Sequence, residues 1–307
     1  LSKLHKGIVD YPGVRPVVDA EALKYVMVEM AVEAEIDCFL HCWGVDAVMD
    51  GSKVCGAVLE SKSGRQAILS KVVVDATGDG DLFAAAGAAY EQIQFGIGLV
   101  SRIGNLPHPL PKPPEGSKPP RGLGGHTPIE GVNWVNMTGP RADALDVSEL
   151  SQLELNHRRQ IWRQVERLRN TPGYENVYLM ETAPQLGVRM SRLLDGVKQL
   201  TYEDAEAGTT YPDVIGYSGD WINRDFEWQI PYGALVPRKV DNILAAGRCI
   251  SGERKMADLL RVIPPCFVTG HAAGVAAAVC VQDGCLVRDV EVAKVRNILK
   301  EQDAYLG

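Results

Sequence analysis

VVVDATGDGDLFAAAGA, residues 72–88, joins an apolar β-branched run to a turn of aspartate, threonine and glycine and then to an alanine-rich helix start. The run from Val72 to Val74 has the composition of a buried strand. The turn Asp75-Ala76-Thr77-Gly78-Asp79-Gly80-Asp81 gathers backbone amides and small side chains at the strand's end, where a bulky ligand could approach the main chain closely. The same residues also suit a plain strand-to-helix connection with Asp81 as N-cap, and composition alone does not separate the two.

A second segment of the same kind is DNILAAGRCISGERKMADLLRVIPPCFVTGHAAGVAAAVC, residues 241–280. A strand over Asn242 to Ala246 ends at Gly247-Arg248. Gly270-His271-Ala272-Ala273-Gly274 then opens a small-residue helix expected from about Thr269 to Gln282. A helix start with little side-chain bulk can bring its amides and positive dipole end against an anion or an electron-rich ring. Close packing of a buried helix would use the same residues.

Outward from these segments the punctuation is local. Leu23, Met27, Met30, Ala31 and Ala34 recur at helical spacing behind Asp19, which predicts a capped helix from Asp19 to Ala34. CFLHCWGVDAVMD, KVCGAVLES and QAILSKVVVDA, separated by turns at Gly51-Ser52 and Ser63-Gly64, read as a small antiparallel meander. Seven prolines between Leu106 and Pro120 exclude helix and central strand there and predict an extended surface excursion. Asp146 and Glu149 form a capping-box pattern ahead of the longest expected helix, which Thr171-Pro172-Gly173 stops. Its arginines, Arg158, Arg159, Arg163, Arg167 and Arg169, are expected on a solvated face. No internal repeat is found.

The 307 residues carry 32 basic and 39 acidic side chains, a formal charge of −7. Without a basic surplus to neutralise a phosphate backbone, nucleic-acid binding is not expected. The longest low-charge stretch, Val262 to Val281, contains Pro264, Pro265 and His271 and lacks a basic flank, so no membrane span is expected. Seven scattered cysteines without a CxxC suit reduced thiols in a cytoplasmic protein. Cys38, His41 and Cys42 look ligand-like, but on a strand His41 would face away from the two cysteines, so core packing is expected and no metal. His126 and His157 have no partners at metal or triad spacing, and there is no GxSxG elbow.

VVVDATGDGDL, GVRMSRLLDG (Gly187 to Gly196), ILAAGRCIS (Ile243 to Ser251) and LLRVIPPCFVTGHAAG occur in an order that resembles FAD-dependent oxidoreductases of the glutathione-reductase-like superfamily. Within it, the chain resembles the group of the fumarate reductase and succinate dehydrogenase flavoproteins, from about Val18 to Val281. The resemblance implies a mixed α/β fold: an incomplete Rossmann-like FAD-binding domain with a small antiparallel meander and an inserted substrate or cap domain. Its expected divisions are 1–90 and 236–307 for the FAD part and 91–235 for the cap. It implies cofactor contacts at Ala76, Thr77, Gly78 and Asp79, at the backbone of Val45 for adenine, and at Gly247 and Arg248 for phosphate and ribityl groups. His271, Ala272, Ala273 and Gly274 would face the pyrimidine edge of the flavin ring.

Relatives begin with a strand, a GxGxxG turn and a helix that seats the FAD pyrophosphate. Gly78-Asp79-Gly80, Gly96-Ile97-Gly98 and Gly122-Leu123-Gly124 are followed by Phe83, Ser101 and Thr127 at the third glycine position, so none completes the motif. With Leu1 in place of an initiator methionine, the expectation is that another polypeptide supplies this first βαβ unit, either a separate subunit or the other product of a cleaved precursor. The expected function is therefore one part of a hetero-oligomeric FAD-dependent oxidoreductase, moving hydride between flavin and a small organic metabolite. Arg261, Arg192 and His271 are the catalytic candidates, since an arginine fork suits a carboxylate and histidine can carry a proton. Arg189 and Arg254 suit structural ion pairs, and Glu253 and Tyr232 are secondary acid–base candidates. The alternatives are a non-catalytic assembly subunit and a fragment of a single-chain enzyme.

Overall fold

The computed structural model describes residues 8–9, 17–113, 115–116, 118–127, 129–219 and 226–307. The chain's first residues, read above for a missing initiator, and Pro114 of the proline-rich stretch lie outside them. The chain forms two compact units, residues 1–39 with 95–188 and residues 40–94 with 189–307. The fold is mixed α/β with small, mostly antiparallel sheets, the class expected of an FAD-binding chain.

In the first unit, Leu99–Gly104 lies between Asn133–Met137 and Tyr178–Thr182, with Gly125–His126 at the edge, all antiparallel. The 23-residue helix Val147–Arg169 covers this sheet. It starts where expected, because the Asp146 carboxylate accepts from the Ser148 and Glu149 amides at 2.8 and 3.2 Å. Glu149 does not close a reciprocal box on Asp146; it accepts from the Asp143 amide instead. Ile161, Val165 and Leu168 are buried at helical spacing, and Val165 and Leu168 meet Ile103, Leu106, Tyr174 and Val177 in one apolar cluster. Arg158 and Arg169 are not simply solvated: Arg158 pairs with Glu154, and Arg169 donates to the Val177 carbonyl at 2.7 Å. The proline-rich stretch carries neither helix nor strand in its described residues, as proline chemistry requires.

Asp19 caps the helix Ala20–Glu33 by accepting from Glu21 and Ala22. Its expected apolar face is not buried. Val26 is the one buried residue, while Tyr25, Met27, Val28, Met30 and Val32 are 53–67% exposed.

In the second unit, Trp43–Asp50, Lys53–Ser61 and Gly64–Leu69 form the expected antiparallel meander, with Gly51 and Gly64 at positive φ. Its first strand starts at Trp43, so Cys38 and His41 are exposed residues of the irregular chain before it rather than core strand residues. Val73–Asp75 pairs in parallel with Ile243–Ala245, the one parallel pair of strands among the described residues. The helix Ile263–Asp283 buries Ala272, Ala273, Val275, Ala276, Val279 and Cys280 within this unit. By length and composition alone it could cross a membrane. It packs against Val292–Glu301 and the strand Val214–Gly219.

Two further boundaries differ from expectation. Gly80, at φ 67°, is the N-cap of the helix Asp81–Ala85, and Asp81 is its first residue. The long apolar helix starts at Ile263 rather than near Thr269, because Pro264 and Pro265 occupy its first turn, where no intrahelical amide is needed.

Candidate functional site

Asp75 closes its strand with a fully buried carboxylate. One oxygen accepts from the Thr77 amide at 3.1 Å and the Thr77 hydroxyl at 2.7 Å; the other accepts from the Leu82 and Phe83 amides at 3.0 and 2.9 Å. It thus does the capping work that glycine at the N-cap cannot, and satisfies a charge that would be costly to bury alone. Thr77 accepts in turn from the Asp81 amide at 3.0 Å. Backbone bonding from Ala246 to the Asp75 carbonyl, at 2.9 Å, places the AGR segment beside the turn.

Asp79 joins three segments far apart in sequence. Its carboxylate accepts from the Ser191 hydroxyl at 2.6 Å and faces the Arg248 guanidinium at 3.0 Å, while its carbonyl accepts from Arg192 at 2.8 Å. Gly78 permits this, since a Cβ there would lie 2.3 Å from Arg248 Nη1. The structure therefore brings together Ala76, Thr77, Gly78, Asp79, Gly247 and Arg248, and adds Asp75 and Ser191. Asp75 was missed because its partners are reached through a left-handed turn, and Ser191 because nothing local marks its hydroxyl.

Beside the turn, a cleft of about 540 Å³ is lined by Gly44, Val45, Asp81, Tyr90 and Arg192 among others. Arg192 sits 5.2 Å from the Tyr90 ring centroid and donates to Asp81 at 2.9 Å. Arg192 Nε and Arg248 Nε are buried without protein partners. Burial raises the Asp81 carboxyl above its ordinary range, against the opposing pull of Arg192. Arg192 donates to the Asp79 carbonyl and to Asp81 while lining the cleft, so its guanidinium braces the turn from within it.

Contrary to expectation, GHAAG does not open the helix. These residues are the eighth to twelfth of the helix, beyond its first two turns, where amides are consumed by the helix itself. Ala272 and Ala273 are buried in the core, and Gly274 is exposed. His271 is exposed, with its Nε2 2.5 Å from Gln302 Oε1. The residues at the helix start are Ile263, Pro264, Pro265 and Cys266. The Gly247 amide is likewise committed, donating to Thr269 Oγ1 at 2.9 Å, so of that pair Arg248 retains donor capacity.

Arg261 is bonded to Asp258 at 2.5 and 3.0 Å. Arg189 is less basic than usual, chiefly from burial and then from the charge of Arg261, so the two cations lie close enough to oppose each other. Arg254 pairs with Glu91 at 3.3 Å, and Glu253 accepts from the Tyr202 amide at 2.8 Å. Tyr232 is buried and donates to the Val287 carbonyl at 2.6 Å. Its phenol is pushed well above the ordinary range by burial, which removes it as an acid–base group at neutral pH. Among the described residues no three of His, Cys, Asp and Glu are grouped to hold a metal ion. In the other unit, a cavity of about 230 Å³ lies between the long helix and the sheet, lined by Ser101, Asn136 and Gln164 with apolar neighbours.

None of the curated proteins compared matches this chain. Similar solved structures include a geranylgeranyl bacteriochlorophyll reductase-like protein from Thermoplasma acidophilum, at 13% identity and a TM-score of 0.47. They also include p-nitrophenol 4-monooxygenase from Pseudomonas putida DLL-E4, at 11% identity and a TM-score of 0.46. These alignments cover 96% and 92% of this chain but 66% and 59% of the other two, so this chain spans less than two thirds of their length. Residues 3–96 and 123–299, most of the sequence, match the FAD dependent oxidoreductase family, and the chain belongs to that family.

Proposed function

We propose that this chain is one part of a hetero-oligomeric FAD-dependent oxidoreductase of the fumarate reductase and succinate dehydrogenase flavoprotein-like group, moving hydride between flavin and a small organic metabolite. The observation that carries the reading is the convergence of the DATGD turn, Ser191-Arg192 and Arg248 on Asp79 beside an open cleft.

FAD is the family's cofactor. The residues fit its adenosine half: the cleft is lined by Gly44, Val45 and Asp81. Val45 would hold adenine through its main chain, and Asp81 would accept from ribose hydroxyls. Arg248, with its Nε free of protein partners, would neutralise cofactor phosphate. Bound FAD supplies a two-electron redox centre. Arg261 and Arg189 suit the carboxylate of an organic acid, because an anion beside them would offset the burial and the charge of Arg261 that together make Arg189 less basic. By role, 1–90 and 236–307 form the FAD part and 91–235 the substrate or cap part.

The proposed partner is a polypeptide carrying the GxGxxG βαβ unit, supported by the exposed apolar surface of the helix Ala20–Glu33. The seven free cysteines support a cytoplasmic setting. The same exposed helix fits a fragment of a longer single chain.

Native isolation followed by intact mass measurement and a visible spectrum tests the proposal. A second polypeptide with flavin absorption is expected. A single larger chain with flavin would replace the subunit reading, and a colourless chain that takes up no FAD would leave a non-catalytic assembly role. Exchanging Arg261→Met should raise KM for acid substrates while leaving the flavin spectrum unchanged; an unaltered KM would remove Arg261 from the substrate site.

A further inference from the structure

The helix Ile263–Asp283 ends at Gly284, which takes φ 66° as C-cap glycines do. The Gly284 amide bonds to the Cys280 carbonyl, and the Cys285 amide bonds to the same carbonyl at 3.2 Å. The second of these is the bond that closes a Schellman turn, a motif that folds the side chain after the glycine back onto the side chain three positions before the helix end. Here those two side chains are Cys285 and Cys280. The motif usually joins two apolar groups; in this chain it joins two thiols.

The surroundings fix which thiol is reached first. Cys280 is 1% exposed, its Sγ 3.8 Å from the Leu286 carbonyl, whereas Cys285 is half-buried. Cys280 is pushed up to about 12 by burial and then by the neighbouring Cys285, so the two sulfurs are near enough to influence each other's charge. Cys266 belongs to the same helix, but fourteen positions along it corresponds to about 21 Å at 1.5 Å per residue, out of reach of this pair.

We propose that Cys280 and Cys285 form a dithiol site that exchanges with low-molecular-weight disulfides and closes as an intrachain disulfide. The Cys285 thiol loses its proton and attacks one sulfur of a disulfide RSSR. That S–S bond breaks, and the leaving thiolate takes up the proton as RSH. The Cys280 thiol then loses its proton and attacks the Cys285 sulfur of the mixed disulfide, expelling a second RSH. Two protein thiols are oxidised by two electrons and one RSSR is reduced to two RSH. The inference is independent of the flavin reading, since it uses neither FAD nor substrate.

The test is incubation of the folded full chain with oxidised glutathione, alkylation of the remaining thiols, and digestion with a protease that cuts before aspartate. Asp283 lies between the two cysteines, so a closed disulfide keeps the fragment starting at Asp283 joined to the fragment before it until reductant is added. The oxidised chain should show two fewer titratable thiols than the reduced chain, and fragmentation should place the link at Cys280 rather than Cys266. Cys266→Ser should keep the link and Cys280→Ser should lose it. Stable glutathione on Cys285 with Cys280 still alkylated, or an unaltered thiol count in a chain that remains folded by circular dichroism, overturns the proposal. Fragment mapping on the unaltered chain decides the matter even if a cysteine variant fails to fold.

Discussion

Gly78 combines two separate demands on one residue: a φ of 79° and the passage of the Arg248 guanidinium across the place where a Cβ would stand. Gly51 shares the positive φ, but nothing lies within 4 Å of its missing Cβ. Alanine at Gly51 should therefore cost only the left-handed conformation, about 1 kcal/mol. Gly78→Ala should cost about 2–4 kcal/mol, since it must also displace Arg248 from Asp79. Paired urea denaturation curves check the difference, and equal losses would mean that Arg248 moves aside freely. Asp81 offers a pH test. A carboxyl whose folded value lies above its ordinary 3.8 holds its proton more tightly in the folded state. Its contribution to stability is present at low pH and lost as pH rises through the interval between those two values. Asp81→Asn should flatten that part of the stability profile relative to the unaltered chain, read as melting temperature against pH; parallel profiles would place Asp81 near its ordinary acidity.

Among elements, the helix Val147–Arg169 separates buried from exposed leucines most clearly. Leu168 is in the apolar cluster against the sheet, and Leu155 is 61% exposed. Leu168→Ala should lose about 2–5 kcal/mol, and Leu155→Ala should stay within about 0.5 kcal/mol. Denaturant midpoints measure both, and a large loss at Leu155 would show that the exposed side of this helix is covered by something else. What could be read in advance follows the range of each interaction. Asp19 and Asp146 cap within three residues of themselves, so the sequence alone located both helix starts. The start at Ile263 lies six residues before the expected one, because Pro264-Pro265 is at home in a first helical turn. Asp79 meeting Ser191 and Arg248 spans more than a hundred residues each way, and no local pattern encodes such contacts. Family motifs pointed to the segments, and only the folded geometry shows that GHAAG lies inside its helix rather than at its start.

For the molecule as a whole, the exposed apolar side of Ala20–Glu33 has a consequence in solution. Purified alone, the chain should self-associate, and Met27→Glu combined with Val32→Glu should lower its apparent mass in light scattering after gel filtration. A monodisperse monomer before any substitution would show that this side needs no cover. The parallel pairing of Val73–Asp75 with Ile243–Ala245 bears on how the protein is made. A ribosome must add roughly 170 residues after the first strand before its partner emerges, which takes about 10–30 s at ordinary elongation rates. For that interval Val73–Asp75 waits unpaired, far longer than any strand of the meander, whose partners follow within a few residues.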